Sequence, residues 1–364
     1  MSGSAPIWQD MIDTSSLLID EGGKGTVAIE GKDPRLVPYG QTNLGMALDL
    51  VDGLTVPNDL FFVRSNYPLP TVDPTQWRLR VGGLVDRELD LTLDDVKALP
   101  SQTQTAFLEC AGDSRSRFEP QAEGTAWNND AVGNATWTGT ALRHVLDLAG
   151  LQPGAFEIVT HGGDTPEMQR GLPLGVALNP STILAWDMNG QPLPQPNGGP
   201  MRLLVPGWCG ISSTKWIVGI TVIDHPFAGK WNTENYTIQT AAGERVRPVR
   251  EMPVKSIIST PAAGSTVPAG PQQVTGYAWS GYGGITRVEV SVDGGVTWED
   301  AHITEEAGRL SWVRFAYDWN AEPGTARLQS RATDERGLIQ PESAAWNARG
   351  YLNNSIYEVS VTVS

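Results

Sequence analysis

Cys110 has the surroundings of a reactive thiol. It stands in the segment Phe107 to Arg115, FLECAGDSR, where Ala-Gly after the cysteine indicates a tight and unhindered loop. Arg115 and Arg117 follow closely, and nearby guanidinium groups favour a thiolate over a thiol. A thiolate binds a soft metal ion or attacks an electrophile. A small buried hydrophobic side chain is an equal alternative, because most free cysteines have that role.

Few other residues offer comparable chemistry. Cys209 is the only other cysteine, so the sequence predicts no disulfide framework. The four histidines lack the spacing of metal ligands, which argues against a zinc site; they are His144, His161, His225 and His302.

The segment Ser212 to Lys215 contains Ser-x-x-Lys, the nucleophile-and-base arrangement of penicillin-binding enzymes. No Lys-Thr-Gly accompanies it, and it precedes a strand instead of lying on a helix, so a hydrolase is the weaker interpretation. The alternative is a phosphate site, in which Ser213, Thr214 and Lys215 supply two hydroxyls and a point charge.

Arg64 follows Phe61-Phe62-Val63 at the end of a predicted strand, from which side chains commonly point into a site. A surface salt bridge is its plain alternative. The residues alone leave Trp127, Tyr236 and Arg349 undecided, since aromatic residues usually fill cores or interfaces.

Composition and charge limit the class of protein. The chain has 364 residues, 40% of them hydrophobic and 18% charged, which predicts a globular protein of two domains. Its 40 Gly and 26 Pro favour short strands, turns and ordered loops. The net charge of −15, with no basic cluster, argues against nucleic acid as a partner. An anionic substrate would need a local cationic pocket within this acidic field.

The predicted elements divide the chain into three parts. Residues 1–55 are predicted to be an irregular leader, and residues 56–250 a mixed α and β domain. Within that domain, a capped helix is predicted from Thr92 to Leu99 and a second from Thr140 to Leu148, where Gly150 stops it. Buried strands are predicted over 201–205 and 217–223.

Residues 253–364 show a different pattern. Arg287 to Val292 alternates polar and apolar residues, meets the turn Asp293-Gly294-Gly295 and returns through Val296 to Trp298. Further strands are predicted over 312–317, 326–333 and 357–363, with no helical pattern between them. This part is therefore predicted to be a β-sandwich of immunoglobulin-like type, and the whole chain to be α+β.

The sequence contains no apolar run long enough to span a membrane. Its first six residues, MSGSAP, show no charged leader or apolar segment. The sequence thus predicts a cytoplasmic protein, or a periplasmic one if a signal peptide has been removed.

Several collinear motifs are similar to those of the sulfite oxidase family of molybdenum enzymes. The resemblance runs from about residue 60 to the end of the sequence. It rests on FFVR (61–64), ECAG (109–112), AVGNATWTG (131–139), MNGQPLP (188–194), RLLVPGW (202–208), KWI (215–217) and WNARGY (346–351).

The resemblance implies a fold, a cofactor and a reaction. The family fold is a mixed α+β domain that holds one mononuclear molybdenum with oxo ligands in molybdopterin, followed by an immunoglobulin-like sandwich through which many members form homodimers. The implied reaction is the two-electron oxidation of sulfite to sulfate. With no haem-attachment, flavin or dinucleotide motif in the chain, the expected electron acceptor is a separate protein, such as a cytochrome.

The resemblance also assigns roles to particular residues. Cys110 corresponds to the single protein ligand of molybdenum. The matching catalytic and substrate-pocket positions are Cys110, Arg64, Arg115, Arg349, Trp127 and Tyr236. The cofactor-binding positions implied in the same way are Phe62, Val63, Arg64, Asn66, Cys110, Asp164, Asn197, Arg202, Ser213, Thr214 and Lys215.

Some positions depart from the family pattern. Asp113 stands where Asn is common, and Asn66 and Asn197 stand where members often carry His. An extra carboxylate at Asp113 is expected to weaken sulfite binding. These departures motivate a first alternative, a reductase of another oxyanion or of an S-oxide with the same cofactor. A second alternative is a non-catalytic interaction module.

Overall fold

The computed structural model describes residues 28–40, 42–165 and 168–364. The first half of the predicted leader therefore lies outside the described residues. The described part of 28–55 consists of turns, two very short strands and a single 3₁₀ turn, but it is not detached from the core. Ile29, Leu36, Met46 and Val51 are buried in the same hydrophobic cluster as Cys110.

The described residues form four α-helices and 23 strands. Strands β1 to β14 are, in chain order, Val37–Pro38, Leu44–Gly45, Arg78–Gly83, Leu89–Thr92, Ser101–Glu109, Val132–Ala141, Glu157–Gly162, Gln169–Pro173, Ile183–Met188, Gln191–Pro192, Arg202–Leu204, Ile217–Ile223, Thr237–Gln239 and Arg245–Pro248. Strands β15 to β23 are Lys255–Thr260, Thr266–Val267, Gly270–Trp279, Ile285–Ser291, Glu299–Asp300, His302–Glu305, Val313–Ala321, Gly324–Asp334 and Glu358–Val363. Helices α1 to α4 are Leu93–Lys97, Leu142–Ala149, Leu174–Ala177 and Lys230–Thr233.

The N-terminal domain, which carries β1 to β14, is built on two five-stranded sheets. One has the order β10-β9-β6-β5 with β11 also paired to β9, and the other has the order β4-β3-β12-β7-β8. Strands β3 and β12 run parallel, so the second sheet is mixed. A hydrophobic cluster that includes Leu146 of α2, Leu184 of β9 and Ile220 of β12 joins the two sheets. This packing fixes the loops that leave the sheet ends.

Both predicted helices are present, although α1 is shorter than the predicted span of 92–99. Thr92 caps α1 and forms a capping box with Asp95, since each side chain accepts a hydrogen bond from the other's backbone N–H. Helix α2 begins two residues later than predicted because Thr140 and Ala141 still belong to β6. Its predicted apolar face is buried, and Gly150 ends it with φ +72°.

Strands β15 to β23 form the predicted immunoglobulin-like β-sandwich. Its sheets have the orders β15-β17-β21-β20 and β16-β23-β22-β18-β19. Apolar side chains that alternate along these strands fill the space between the sheets, among them Val288, Phe315, Leu328 and Val361. Residues 253–364, all described, contain no helix.

The predicted hairpin after β18 is wider than expected. Asp293, Gly294 and Gly295 make the turn, but residues 296–298 form no strand, and the chain returns through β19. The reason is the Asp293 carboxylate, which accepts hydrogen bonds from the backbone N–H groups of Val296 and Thr297. These bonds hold the two residues in the turn.

The sandwich packs directly on the N-terminal domain. Tyr277 and Trp312 of the sandwich donate side-chain hydrogen bonds to the carbonyl oxygens of Val51 (3.2 Å) and Leu54 (2.6 Å). Trp279 and Trp312 belong to the hydrophobic cluster that contains Cys110. The Cys110 loop is therefore supported from both domains. In the described part of the chain, no helix is long and apolar enough to cross a membrane.

His161 on β7 gives the fold a specific pH dependence. Burial lowers its pKa to about 4, so the unfolded chain binds a proton more readily than the folded protein between pH 4 and 6.5. We expect this histidine to remove about 3 kcal/mol from the free energy of unfolding as the pH falls through that window. His161→Gln is expected to reduce this loss, as measured by urea unfolding at several pH values.

The exposed His302 provides the matched control. His302→Gln is expected to leave the pH dependence of the unfolding free energy as it is in the wild type. A His161→Gln profile that coincides with the wild-type profile would show that burial of His161 does not drive acid destabilisation.

Candidate functional site

A deep cavity lies in the N-terminal domain, and concave sites with mixed apolar and polar walls are where proteins commonly bind small-molecule cofactors. Its described lining combines apolar residues with hydroxyls and three cationic side chains. The lining residues are Phe61, Phe62, Arg64, Ser65, Asn66, Leu108, Cys110, Ala111, Asp164, Met168, Pro196, Asn197, Arg202, Gly210, Ile211, Ser213, Thr214, Lys215 and Tyr236.

An outer cleft lies beside the deep cavity and shares part of its wall. Residues of both cavities are Arg64, Asn66, Cys110 and Tyr236. The cleft is further lined by Arg115, Glu123, Gly124, Thr125, Trp231, Asn235, Arg349 and Tyr351. The structure thus brings together three predicted arginines around one opening, and the thiol of Cys110 lies where the opening meets the deep cavity.

Cys110 begins the loop that leaves β5. Its backbone N–H donates to the carbonyl of Ala131 at 2.9 Å, and its carbonyl accepts from the N–H of Asp113 at 2.9 Å. The residue is 6% exposed. Burial raises the pKa of the thiol, and the charges of Arg64 and Arg115 oppose this effect without reversing it. Desolvation of the anion thus affects the thiol more than the arginine charges that the sequence analysis emphasised.

Arg64 and Tyr236 are joined by Asn66 at the common wall. The Arg64 guanidinium donates to Asn66 Oδ1 at 2.5 Å and to Asn43 Oδ1 at 3.1 Å. Asn66 Nδ2 in turn donates to the hydroxyl of Tyr236 at 3.3 Å. Tyr236 has φ +46°, an uncommon backbone conformation for a tyrosine. These bonds orient the cation and the phenol toward the same opening.

Arg115 is held by backbone from two distant parts of the chain. Its Nε donates to the carbonyl of Arg349 at 3.0 Å, and its Nη1 donates to that of Thr125 at 2.7 Å. Two glycines make room for it: a Cβ on Gly112 would overlap Arg115 Nη2, and a Cβ on Gly350 would lie 2.7 Å from its Cγ. Any larger residue at either position would displace the guanidinium.

Arg349 comes from the loop before β23 and reaches the cleft from the sandwich side. Its side chain is 39% exposed, and its nearest carboxylate oxygen belongs to Glu123 at 4.0 Å. A weak, exposed ion pair of this kind contributes little to stability. The guanidinium is therefore available to an anion entering the cleft.

The deep cavity holds buried cations without a full set of carboxylate partners. Arg202 donates to the carbonyls of Asn197 (2.8 Å) and Ser213 (2.9 Å), and burial lowers its pKa to about 9. Burial and neighbouring Arg202 lower the pKa of Lys215 well below its usual value. Asp164 is the acid among the described lining residues, and burial raises its pKa to about 6. Such desolvated cations beside two hydroxyls suit a phosphate.

Asn197 lines the deep cavity, but both ends of its amide already have partners. Its Oδ1 accepts from Lys32 Nζ at 2.7 Å, and its Nδ2 donates to the carbonyl of Phe62 at 3.1 Å. Lys32 also donates to the carbonyls of Asn58 and Phe61. Asn197 therefore shapes the cavity wall through these bonds, and Lys32 belongs to the segment predicted as a leader.

Two of the predicted site residues lie outside both linings. Val63 is 1% exposed, and its backbone pairs with Leu44. Trp127 is fully buried and packs against Tyr39, with ring centroids 4.5 Å apart. The structure places both in the packing behind the site, because neither side chain forms cavity surface. Trp127 nevertheless contacts the segment that carries Arg115, because its carbonyl accepts a hydrogen bond from the N–H of Ser116.

Asp113 does not extend into the substrate opening. It is 1% exposed, its Oδ2 lies 2.5 Å from Lys255 Nζ, and its Oδ1 accepts from the N–H of Ala131 at 2.8 Å. The expected weakening of anion binding by this carboxylate has no structural basis, because a lysine neutralises it inside the protein. Arg117 also lies away from the cleft, with its guanidinium 3.4 Å from the ring centroid of Tyr357.

The sequence did not single out two aromatic residues of the cleft. Tyr351 stacks on Tyr236 with centroids 5.3 Å apart and lies 5.2 Å from the Arg115 guanidinium. Trp231 packs against the other side of Tyr236, 5.9 Å between centroids. The signal for Tyr351 was its place in WNARGY, two residues after Arg349. Trp231 had no comparable signal.

The two halves of the chain match two family models. Residues 66–231 match the model described as the oxidoreductase molybdopterin binding domain, and residues 246–364 match that of the Mo-co oxidoreductase dimerisation domain. Together with the deep cavity and its sandwich neighbour, these matches define a molybdopterin-dependent oxidoreductase.

Relatives narrow the class further. Mitochondrial sulfite oxidase of Mus musculus is 33% identical over 341 residues, which cover 86% of this chain and 62% of that protein. Sulfite oxidase of Arabidopsis thaliana is 32% identical over 349 residues, which cover 85% of this chain and 88% of that protein. The crystal structure of the sulfane dehydrogenase SoxCD from Paracoccus pantotrophus is 28% identical, with a TM-score of 0.81 over 99% of this chain and 97% of that one. The chain belongs to the sulfite oxidase family of molybdenum cofactor oxidoreductases.

Proposed function

We propose that this protein oxidises sulfite to sulfate at a single molybdenum bound by molybdopterin and by Cys110. The observation that carries the proposal is the position of the Cys110 thiol between two cavities of different character. One cavity is deep and contains desolvated cations, and the other is open and contains three arginines. A large anionic cofactor suits the first, and a small oxyanion suits the second.

The donor set of the deep cavity fits the cofactor. Arg202, Lys215, Ser213 and Thr214 would hold the phosphate of molybdopterin, since two cations that share one nearby carboxylate, together with two hydroxyls, match a phosphate dianion. The orphaned Oδ1 of Asp164 would accept a hydrogen bond from the pterin. Cys110 would supply the one protein ligand, a soft sulfur donor suited to a soft metal environment. When bound, this cofactor supplies the two-electron oxygen-transfer chemistry.

The outer cleft would bind and orient the substrate. Arg64, Arg115 and Arg349 present guanidinium forks that match the oxygens of a small oxyanion and offset the negative field of the protein. Tyr236 presents a hydroxyl hydrogen-bonded to Asn66 at the junction with the deep cavity. Tyr351 stacks on Tyr236 and Trp231 packs against it at a tilt, so the two rings would hold that hydroxyl in place and exclude water from one side of the opening.

We infer that electrons leave this chain to a separate acceptor, such as a cytochrome, for which ferricyanide substitutes in the assays. We also infer a homodimer formed through the sandwich, in keeping with the name of the matching domain. Because the chain spans 62% of the mouse relative, the acceptor and the assembly are proposals for this chain.

Arg349→Met tests the anion pocket. The substitution removes the guanidinium but keeps the backbone carbonyl that holds Arg115. We expect the KM for sulfite to rise about tenfold to a hundredfold, since a hydrogen bond to a charged group contributes about 1.5–3 kcal/mol. Steady-state oxidation of sulfite by ferricyanide gives the measurement.

Arg245→Met is the matched control, because Arg245 is exposed and lies outside the cleft lining. It is expected to keep the wild-type KM. A wild-type KM in Arg349→Met would show that the cleft does not bind the substrate as proposed.

The similarity to a sulfane dehydrogenase over 99% of the chain favours a second substrate class. The same three arginines would hold the oxygens of a substrate whose outer sulfur is oxidised. A comparison of kcat/KM for sulfite and for thiosulfate, with viologen-driven reduction of nitrate and of an S-oxide as further assays, decides among these activities. The first proposal would be overturned if one of the other substrates were turned over faster than sulfite.

A further inference from the structure

Lys255, the first residue of β15, reaches out of the sandwich into the Cys110 loop. Its Nζ lies 3.1 Å from Glu109 Oε1, 2.5 Å from Asp113 Oδ2 and 2.7 Å from Ser114 Oγ. The side chains of Lys255 and both acids are at most 2% exposed. All three donor positions of the ammonium are thereby used.

The remaining polar atoms of this cluster also have partners. Glu109 Oε2 accepts from the indole N–H of Trp279 at 2.7 Å, and Asp113 Oδ1 accepts from the N–H of Ala131 at 2.8 Å. A fully satisfied buried network restricts the groups that it joins to one arrangement. Here it joins the sandwich to residues on both sides of Cys110.

The loop needs such support because its backbone is strained. Ser114 has φ +63°, a left-handed conformation that a non-glycine residue adopts at a cost. Lys255 binds the Ser114 hydroxyl directly and binds the carboxylate of the residue before it. The conformation that carries the Cys110 sulfur to the junction of the two cavities is thus held from outside the N-terminal domain.

We propose that Lys255 is a positioning residue that fixes the Cys110 loop from the sandwich through Glu109, Asp113 and Ser114, and so sets the geometry of the metal ligand. The link to metal coordination rests on the proposed function, whereas the effect on the loop does not. The sandwich then supports the ligand loop, in addition to any part it plays between subunits.

Two variants separate the hydrogen bonds of Lys255 from its charge. Lys255→Met removes both and leaves two buried carboxylates without a counter-charge, which is strongly destabilising. The neutral variant Lys255→Met/Glu109→Gln/Asp113→Asn removes the three lysine hydrogen bonds but leaves no unpaired charge. The two amide side chains that it introduces retain carbonyl oxygens as acceptors for the Trp279 and Ala131 N–H groups.

The measurement is amide hydrogen exchange of the full-length protein, followed by mass spectrometry of peptides that cover residues 110–117. We expect exchange in this segment to rise at least about tenfold in both variants, because loop opening then costs less free energy. Arg331→Met is the matched control, since it breaks the Arg331–Glu289 pair within the same sandwich and is expected to leave segment 110–117 unchanged.

Three results would overturn the proposal. The first is wild-type exchange in the neutral variant, which remains decisive if Lys255→Met does not fold. The second is an equal rise in Arg331→Met. The third is faster exchange in the two Lys255 variants while the molybdenum-to-protein ratio after gel filtration stays at the wild-type value. This result would show that Lys255 does not set the geometry of the metal ligand. Wild-type protein without molybdenum would instead contradict the proposed function, and the exchange data would still decide whether Lys255 positions the loop.

Discussion

Cys110→Ser is expected to lower sulfite turnover at least about a thousandfold, because a hydroxyl is a harder donor and stays protonated where a thiol can ionise next to a metal. The two side chains have nearly the same shape, so the buried loop keeps its backbone hydrogen bonds to Ala131 and Asp113. Turnover with ferricyanide, together with molybdenum per chain by elemental analysis, gives the measurement.

Cys209→Ser is the control for this substitution. Cys209 is also buried, and its sulfur lies 3.6 Å from Ser212 Oγ and 3.4 Å from the carbonyl of Val249, outside the lining of the deep cavity. It is expected to keep turnover within about threefold of the wild type. Turnover by Cys110→Ser at the wild-type level would refute the ligand role of Cys110.

Lys215→Met is expected to empty the cofactor site without unfolding the protein. The Lys215 side chain is partly buried, donates to the carbonyl of Pro196 at 3.2 Å, and has a pKa lowered by desolvation and by Arg202. Its charge therefore costs free energy unless an anion binds, so its removal relieves the empty protein. We expect the affinity for the cofactor to fall about a hundredfold, the effect of losing one charge-assisted hydrogen bond of up to about 3 kcal/mol.

The measurement is molybdenum and pterin per chain, with the thermal midpoint of the cofactor-free protein measured in parallel. Lys97→Met, at an exposed site on α1, is expected to change neither quantity. Full cofactor content in Lys215→Met would refute a phosphate site at Lys215. A thermal midpoint well below that of the wild type would mean instead that Lys215 stabilises the fold.

The sequence was most informative where local rules act alone. The capping box at Thr92, the apolar face of α2 and the alternating strands of the sandwich follow from hydrogen bonding and periodicity within a few residues. The lining of the deep cavity was found through matching motifs. Without those motifs, the residue types indicated only one part of the cavity, the possible phosphate site formed by the two hydroxyls and the lysine of 213–215.

Long-range contacts account for what the sequence did not predict. Asp113 has the appearance of a substrate-site carboxylate until Lys255, 142 residues away, is seen to bind it. Arg115 and Arg117 both appear close to the thiol, but only Arg115 faces the cleft. Lys32 lies in a segment with no regular pattern, and its role depends on Asn197 at a separation of 165 residues. Hydrophobic periodicity describes neighbours within one helix or strand, so it does not identify hydrogen-bond partners that are more than a hundred residues apart in sequence.

The split of the site between two domains has a consequence for biogenesis. The described residues that line the deep cavity all lie between 61 and 236, whereas Arg349 and Tyr351 complete the outer cleft. A ribosome adds about 5–20 residues per second. It therefore completes the residues that line the deep cavity roughly ten seconds before it reaches Arg349 and Tyr351 of the outer cleft. During this interval every described residue that lines the deep cavity has been made, but Arg349 and Tyr351 of the outer cleft have not. The entrance reaches its final, narrower shape only after the sandwich has been translated.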